Sequence, residues 1–327
     1  MYSRKTFHLR LAKRTLLLGK KTLVMGVVNI TPDSFSDGGK FLSPHKAAQH
    51  ALALEKAGAD ILDIGAESTR PGSGEISVVE ELRRLLPVLQ ALRGKLKIPI
   101  SIDTRKSSVA EIALGAGAEV INDVSALRYD PRIAEVVADT KCGLILMHMR
   151  GEPGTMQKIP FAKNVFADVT KDLRVALAIA RKAGVAKSQI VIDPGIGFGK
   201  SFPQNYELLR KLPELAKLGY PLAVGTSRKG FLGHTLALAK ERAFERHAKH
   251  SARAGASAKL AALRSRNPVP SEERLFATAA TVAASILAGA HIVRVHDVAE
   301  MAQVAAVTDR ILDSQPARDS LAKRESS

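Results

Sequence analysis

The chain contains eight short apolar runs, and each of them ends on a polar or charged residue. Runs this continuous in Val, Ile and Leu are typical of strands buried on both faces, as in parallel sheets. Helical patterns separate them. Eight such units predict an α/β protein with a closed (β/α)8 TIM barrel, whose chemistry lies at the carboxyl ends of its strands. The runs end at Asn29, Glu67, Asp103, Asn122 and Asp123, His148, Asp193, residues 227–229, and Arg294 and His296.

A recurring junction supports the repeated units. The tripeptide Ala-Gly-Ala precedes three of the runs, and its glycine (Gly58, Gly117 or Gly289) suits the left-handed end of a helix. A strand then follows within two residues, a usual loop length in such folds. The helical patterns cover residues 44–58, 77–93, 106–116, 131–139, 162–184, 204–218, 272–289 and 297–313.

Three segments lie outside this repeat. Residues 1–21 alternate apolar and polar positions up to a Gly-Lys-Lys turn, which predicts a hairpin extension at the closed end of the barrel. The barrel domain covers residues 22–313. A basic, Ala-rich insertion follows the seventh strand at residues 236–270, and it is either a helical excursion or a partly disordered loop. Residues 314–327 form a polar tail.

The formal net charge is +17, and two segments carry most of it. Residues 1–21 contain seven Lys or Arg and no acid, and residues 236–271 contain eight Lys or Arg and two Glu. A basic balance suits nucleic acid or an acidic surface, and equally a phosphorylated substrate. The chain has no Trp and few aromatic residues, which does not favour a nucleic-acid partner.

The cysteine content and the longest uncharged stretch indicate where in the cell the protein is expected. A single cysteine, Cys142, excludes an internal disulfide and fits a reducing compartment, and its setting predicts a buried core thiol. Residues 275–293 carry no formal charge, but Gly289 interrupts this Ala- and Thr-rich stretch. A buried helix leading into a strand explains it better than a membrane span. Without a secretory signal pattern, the sequence predicts a cytoplasmic protein with no membrane partner.

Two loops carry residues suited to a metal and to phosphate. Residues 29–39 combine the amide of Asn29, two acids, several hydroxyls and a Gly-Gly hinge. Such a loop can bind a hydrated metal and an anion, or it is an ordinary polar loop. After the second run, Thr69 and Arg70 can hold a phosphate, although a simple connector can also contain them.

Three strand-end residues, Asp103, Asn122 and Asp193, indicate a polar ligand at the barrel mouth. Buried acids need partners. A flat heterocycle with amino and ring N–H groups can supply them, and so can Lys or Arg side chains that hold the mouth together. All three acceptors at one mouth favour the ligand.

Cations follow the last two strands. Lys229 lies just past the seventh run, and Arg294 and His296 end the eighth, where this fold commonly binds phosphate. Two cations and an imidazole suit a diphosphate or a negatively charged ring substituent. His148, between two methionines, is interpreted as a packed strand-end histidine. The sequence contains no HExxH, CxxC, phosphate-loop or GxGxxG motif, which leaves zinc, redox, triphosphatase and dinucleotide chemistry without support.

Taken together in chain order, eight motifs closely resemble the dihydropteroate synthase family. The match extends from about residue 7 to residue 313 and omits only the basic insertion, where the family usually has a much shorter connection. The long loop after the first strand and ESTRPG are its most specific parts. The motifs are NITPDSFSDGG, DIGAESTRPGS, SIDTRK, VINDVS, LMHMRGEPGTMQ, IDPGIGFGK, GTSRKGFLG and IVRVHDV.

The resemblance implies a Mg2+-assisted transferase of folate and tetrahydrofolate biosynthesis and a sulfonamide target. Such an enzyme joins 6-hydroxymethyl-7,8-dihydropterin pyrophosphate to para-aminobenzoate and releases pyrophosphate. These small molecules are the implied partners, together with a second copy of the chain in a homodimer. Alternative interpretations are a pterin-binding, methyltransferase-like barrel, which has no use for ESTRPG or SRK, and a divergent non-catalytic paralogue, which need not retain every motif.

The resemblance also implies roles for individual residues. Asn29 is the implied metal ligand, and catalysis is assigned to Asn29, Lys229, Arg294 and His296. The residues implied at the pterin edge are Asp103, Asn122, Asp193 and Lys229, with Met147 and Arg294 on the ring faces. Those implied for the pyrophosphate are Arg70, Arg294 and His296. Those implied for the aminobenzoate are Phe35, Thr69, Pro71, Phe198, Ser227 and Lys229.

Overall fold

The computed structural model describes residues 4–31, 44–69, 72–156, 158–250 and 269–313. Within these ranges, an antiparallel hairpin of β1 (Phe7–Arg10) and β2 (Thr15–Leu18) precedes a sheet of eight parallel strands. The eight are β3 (Leu23–Asn29), β4 (Ile61–Gly65), β5 (Ile100–Asp103), β6 (Val120–Asp123), β7 (Gly143–Met147), β8 (Ile190–Asp193), β9 (Ala223–Val224) and β10 (Ile292–Val295).

The parallel strands form a nearly closed barrel, which confirms the predicted (β/α)8 fold. Neighbouring strands follow the order β8-β7-β6-β5-β4-β3-β10-β9. A parallel bridge between Ile192 and Leu222 brings the two edges of this sheet together. Because all eight strands run in the same direction, their carboxyl ends converge at one end of the barrel. The polar ends of the apolar runs therefore meet there.

Helices alternate with the strands close to the predicted positions. Gly58, Gly117 and Gly289 follow three helices with φ values of 105°, 111° and 101°, as expected for left-handed helix ends. The helices are α1 (Pro44–Lys56), α2 (Val78–Leu92), α3 (Ser107–Gly115), α4 (Ile133–Thr140), α5 (Val165–Lys182), α6 (Phe202–Arg210), α7 (Leu212–Leu215), α8 (Gly230–His250), α9 (Leu275–Leu287) and α10 (Val298–Asp313).

The structure differs from the predicted helices at two places. The helix expected over residues 204–218 is divided into α6 and α7, and Pro213 lies in the first turn of α7. Proline lacks a backbone N–H and clashes with the preceding turn, so α6 cannot continue through it. The other difference is α8, a helix of 21 residues that enters the basic insertion. The helical alternative therefore holds for residues 236–250, whereas residues 251–268 lie outside the described part of the chain.

The hairpin packs against the amino end of the barrel, opposite the polar strand ends. Its chain reverses at residues 11–14, and the predicted Gly-Lys-Lys turn instead connects β2 to β3. Leu9, Leu11 and Leu18 are buried in one cluster with the first residues of several barrel strands, among them Ile61 and Ile292. The apolar face of the hairpin therefore closes this end of the barrel.

The structure bears on two further sequence predictions. No helix in the described part of the chain combines the length and apolar character that a membrane crossing requires. The uncharged stretch instead forms α9 and then β10, as predicted. Cys142 is a buried core thiol, and burial raises its pKa to about 11.

Candidate active site

Hydrogen bonds join four strands at the barrel mouth. Arg294 on β10 donates through Nε to Asp63 Oδ2 on β4 at 2.6 Å, and through Nη2 to Asp103 Oδ2 on β5 at 3.0 Å. The same Asp63 oxygen accepts a hydrogen bond from Nδ2 of Asn122 on β6 at 3.0 Å. The structure thus brings together three of the predicted residues around a fourth, Asp63, that sequence reasoning missed.

Burial raises the pKa of several carboxyl groups at this end of the barrel, among them Asp103 and Asp193. Burial raises the pKa of Asp103 to about 7, while nearby Arg294 lowers it. Burial raises the pKa of Asp193, at the end of β8, to about 6. The backbone N–H of Gly195, 2.7 Å from Asp193 Oδ1, and the charge of Lys229 act in the opposite direction. Burial of a charged carboxylate is costly, and hydrogen bonds from N–H donors on a ligand would stabilise it.

The ammonium group of Lys229 lies against an aromatic ring. Its Nζ is 3.9 Å from the centre of the Phe198 ring. Burial lowers the pKa of Lys229 to about 8, with a contribution from Arg294, and Asp193 opposes this shift. Gly197 permits the close approach because its φ is 89° and a Cβ atom there would lie 3.0 Å from Lys229 Cδ.

Lys200 fixes the loop on which Phe198 lies. Its Nζ donates to the carbonyl oxygens of Phe198 at 2.9 Å and of His148 at 3.3 Å, and it lies 3.0 Å from Nδ1 of His148. Burial lowers the pKa of Lys200 to about 7 and the pKa of His148 to about 4. A buried, neutral His148 agrees with its interpretation as a packed strand-end residue.

Met147 provides an apolar surface next to these polar groups. It ends β7, is 5% exposed, and belongs to a small cluster that is separate from the main core. Phe198 packs against this cluster, and it also contacts Lys229. An apolar surface beside buried acceptors suits a flat ring with a polar edge. The other members of the cluster are Val124, Met149 and Met156.

Ser227 and His296 form a hydrogen-bonded pair at the ends of β9 and β10. The backbone N–H of His296 donates to Ser227 Oγ at 3.2 Å, and its Nδ1 lies 3.0 Å from the same oxygen. Burial, and then the charge of Arg294, lower the pKa of His296 to about 3. At pH 7 His296 is therefore neutral in the ligand-free protein.

A second network anchors the loop after β4. Nζ of Lys106 donates to the carboxylate of Glu67, to Glu81 at 2.7 Å, and to a backbone carbonyl further along the loop at 2.8 Å. Arg105 also donates to Glu67 at 3.0 Å. Since Arg105 and Lys106 closely follow Asp103, they connect the loop to the strand that carries this acid.

The remaining predicted residues lie on the first two loops. Asn29 ends β3 and is partly exposed. Thr69 is the last described residue before a gap, and Phe35, Arg70 and Pro71 lie outside the described residues. In the described part of the chain, no group of three or more His, Cys, Asp or Glu side chains is arranged to hold a metal.

Sequence reasoning missed several residues that organise this site. Asp63 had a detectable signal, because it is an acid in the middle of the apolar run ILDIG and buried acids need partners. Arg105 and Lys106, directly after a strand, gave a weaker signal, because cations are common in loops. The partners of Lys106 and Lys200 are set by the tertiary structure.

The fold and this mouth define a class of barrel enzyme. A sequence model of the family described as pterin binding enzyme matches residues 25–296, so the chain is a pterin-binding barrel. The dihydropteroate synthase of Synechocystis sp. is 44% identical over 293 residues, which cover 90% of this chain and 91% of that relative.

Solved structures give the same result. The dihydropteroate synthase of Clostridium difficile, solved in the presence of pteroic acid, is 41% identical with a TM-score of 0.76, covering 90% of this chain and 98% of that one. The Xanthomonas albilineans enzyme, solved with 4-aminobenzoic acid, is 38% identical with a TM-score of 0.78, covering 95% and 100%. The chain belongs to the dihydropteroate synthase family, transferases of folate synthesis.

Proposed function

We propose that this chain condenses 6-hydroxymethyl-7,8-dihydropterin pyrophosphate with para-aminobenzoate to give 7,8-dihydropteroate and pyrophosphate. The observation that carries the proposal is the hydrogen-bonded group of Asp63, Asp103, Asn122 and Arg294 at the carboxyl ends of the strands. Relatives that were crystallised with pteroic acid and with 4-aminobenzoic acid support both halves of the reaction.

The pterin edge would be read by the buried acceptors and the buried lysine. Asp193 and Asn122 accept hydrogen bonds from the amino group and ring N–H, and Lys229 donates to the ring carbonyl. Asp103 offers a further acceptor, because Arg294 donates to only one of its carboxylate oxygens, Oδ2. Met147 and the planar guanidinium of Arg294 would cover the two faces of the ring. This pairing matches donors to acceptors along one edge.

The diphosphate would be held by Arg70, Arg294 and His296. His296 would donate a hydrogen bond to an oxygen that gains charge as the diphosphate leaves. Asn29 would be the protein ligand of Mg2+, with the remaining positions taken by water and by diphosphate oxygens. A single amide oxygen fits this role because Mg2+ keeps several waters and binds through few protein groups plus phosphate. When bound, Mg2+ neutralises charge on the leaving group.

The aminobenzoate would lie between the first two loops and the ends of β8 and β9. Its implied neighbours Phe198, Ser227 and Lys229 lie in the described part of the structure, and Phe198 and Lys229 are in contact there. Lys229 is also assigned to the pterin carbonyl, so it would lie between the two substrates. Sulfonamides would compete for the same place.

The chemical step is a displacement at the methylene carbon of the pterin. The bond from this carbon to the diphosphate oxygen breaks, and the electron pair leaves with the oxygen. The dihydropterin ring shares the positive charge that develops, and the aniline nitrogen forms the new C–N bond and loses one proton to solvent. An aniline is a nucleophile at neutral pH, so no strong general base is needed.

Pyrophosphate release tests this function. With the pterin pyrophosphate and Mg2+, we expect release that becomes faster when para-aminobenzoate is added and is accompanied by dihydropteroate. We further propose that para-aminobenzoate binds after pyrophosphate has formed, because its implied residues lie on loops that also meet the diphosphate. If para-aminobenzoate bound the free enzyme as tightly as it binds in the presence of pterin and pyrophosphate, this order would be contradicted. Absence of pyrophosphate release would contradict the function.

We also propose that the chain forms a homodimer in the cytoplasm. α9 and α10 pack against each other, and both carry exposed apolar side chains. Phe276 is 85% exposed, and Val307 and Ile311 are 64% and 57% exposed. Apolar exposure of this kind on adjacent helices supports an interface with a second copy. A lone, buried cysteine supports a reducing compartment.

A further inference from the structure

We infer that Asp63 is a positioning residue that sets the ligand specificity of the pocket, an inference that rests on the proposed pterin chemistry. Asp63 lies in β4 and is fully buried. Its Oδ2 atom accepts hydrogen bonds from Asn122 Nδ2 at 3.0 Å and from Arg294 Nε at 2.6 Å. One oxygen atom therefore orients two side chains that would contact the pterin.

The orientation of the Asn122 amide follows from this contact. A carboxylate that pairs with arginine can only accept hydrogen bonds. The NH2 group of Asn122 must therefore face Asp63, and its carbonyl oxygen is left for a ligand. The reverse orientation would place two oxygens against each other inside the barrel, which is costly where water is excluded. Asp63 thus makes position 122 an acceptor and selects a ring edge with N–H donors over one with a carbonyl.

The orientation of Arg294 depends less strongly on Asp63 than the orientation of Asn122 does. Its guanidinium also donates to Asp103 at 3.0 Å, so a second acid holds it when Asp63 is replaced. The NH2 group of Asn122, by contrast, takes Asp63 as its acceptor within the described part of the chain. Loss of the acceptor at position 63 should therefore affect the amide first, and the recognition of the pterin edge with it.

An asparagine at position 63 can preserve the amide contact. The second carboxylate oxygen of Asp63, Oδ1, is buried with no hydrogen-bond partner among the described residues, and so is Oγ of Ser101, its register partner on β5. In the Asp63→Asn variant, the introduced NH2 group can take the place of Oδ1, which accepts no hydrogen bond from the described residues. The oxygen of the introduced amide then still accepts from Asn122, and only the negative charge is lost.

The test compares two ligands that differ at one ring position. 6-Hydroxymethylpterin carries a 2-amino group, and 6-hydroxymethyllumazine carries a carbonyl there; calorimetry gives the ratio of their affinities. We expect the wild-type protein to prefer the pterin by at least roughly 100-fold, because the lumazine leaves buried acceptors unpaired. Asp63→Ala should reduce this preference to below roughly 10-fold, because the Asn122 amide is then free to reverse. Asp63→Asn should retain it within about threefold.

Asp309 provides a matched control at the opposite end of the barrel. It is a buried aspartate that pairs with Arg4 at 2.7 Å and accepts from the backbone of Thr22 at 2.5 Å. Asp309→Asn should lower the melting temperature and leave the pterin preference unchanged. A merely structural role of Asp63 predicts the same behaviour for Asp63→Ala.

The outcomes separate this inference from the proposed function. Retention of the wild-type preference in Asp63→Ala overturns the role of Asp63 and leaves the proposed function intact. Absence of any preference in the wild-type protein overturns both. If Asp63→Ala does not fold, NMR of the wild-type protein tests the contact between Asp63 and Asn122. Slow solvent exchange of the Asn122 side-chain amide protons in the ligand-free protein supports the contact, and fast exchange overturns it.

Discussion

Nζ of Lys229 lies 3.9 Å from the centre of the Phe198 ring, so this buried cation has an aromatic face as a partner. A cation–π contact at a desolvated site contributes on the order of 2 kcal/mol. The contact also joins the loop after β8 to the loop after β9. Both substrates would meet at this point, which makes Lys229 the first residue to test.

Replacement of this lysine should affect catalysis far more than folding. We expect Lys229→Ala to lower kcat/KM by at least roughly 100-fold, because a hydrogen bond to the pterin carbonyl is lost. The free energy of unfolding should change by less than about 1 kcal/mol, since removal of a costly buried charge offsets the lost contact. Steady-state kinetics and urea unfolding check both parts. Lys240→Ala, in an exposed ion pair with Glu273, is the control and should retain activity.

The pH dependence of activity should report the lysine. Because burial lowers the pKa of Lys229 to about 8, its proton is lost well below the usual range for lysine. We expect kcat/KM for the pterin substrate to fall above pH 8, since this parameter follows the ionisation of the free enzyme. In Lys229→Arg, residual activity should persist to higher pH. The same alkaline limb in both proteins would assign the ionisation to another group.

Asp193→Asn should abolish most turnover and stabilise the fold at neutral pH. Burial raises the pKa of Asp193 to about 6, so ionisation weakens the folded state as pH rises from about 4 to 6. The asparagine variant lacks this cost and keeps an oxygen for the N–H of Gly195. We expect it to be more stable than wild type by about 1–3 kcal/mol at pH 7.5, and by less at pH 4.5.

Urea unfolding at the two pH values measures this difference. Asp139→Asn, exposed on α4, is the matched control and should change neither stability nor kcat. Wild-type turnover in Asp193→Asn would remove this acid from the pterin site.

The network under the second loop should be costly to break. Lys106, Glu67 and Glu81 have side chains that are only 5%, 8% and 1% exposed. Lys106→Met leaves Glu81 buried without its cation and leaves Glu67 with Arg105 alone, and we expect a loss of about 3–5 kcal/mol in the free energy of unfolding. Lys240→Met breaks an ion pair whose side chains are 57% and 56% exposed, and it should cost less than about 1 kcal/mol. Equal losses in both variants would contradict the structural role of the network.

The proposed dimer makes a prediction about mass in solution. We expect Phe276→Glu to convert a dimer into a monomer, because it places a charge among the exposed apolar side chains of α9 and α10. Light scattering coupled to size-exclusion chromatography measures the mass. Val79, which is 75% exposed on α2, provides the control, and Val79→Glu should leave the mass unchanged. A wild-type monomer would refute the dimer.

Local patterns were sufficient to predict most of the barrel. Continuous apolar runs identified the strands, and Gly58, Gly117 and Gly289 marked helix ends, because both signals depend on short stretches of chain. The hairpin turn was misplaced because Gly-Lys-Lys is a stronger turn signal than the residues at which the chain reverses. The insertion was ambiguous because its Ala-rich, highly charged composition suits both a helix and a disordered segment.

The apolar runs predicted site residues at or just past the ends of strands. Asp103, Asn122 and Arg294 were identified in this way. Asp63 was missed because its importance depends on side-chain hydrogen bonds among β4, β6 and β10, which are distant in sequence and are not adjacent in the sheet. The same holds for Lys106 and Lys200, whose partners lie on other loops. Sequence position indicates which side chains reach the mouth, but not which of them hold the others in place.

The short pairing between β8 and β9 affects how easily the barrel opens locally. β9 contains only two residues, and a single isolated bridge, Ile192 to Leu222, joins this edge to β8. Among the barrel strands, β8 and β9 are therefore joined by the least backbone pairing, and the Phe198–Lys229 contact lies on the loops that follow these two strands. Among the barrel strands, we expect amide deuteration to be fastest in β8 and β9. A substrate that contacts the loops after both strands should slow this exchange.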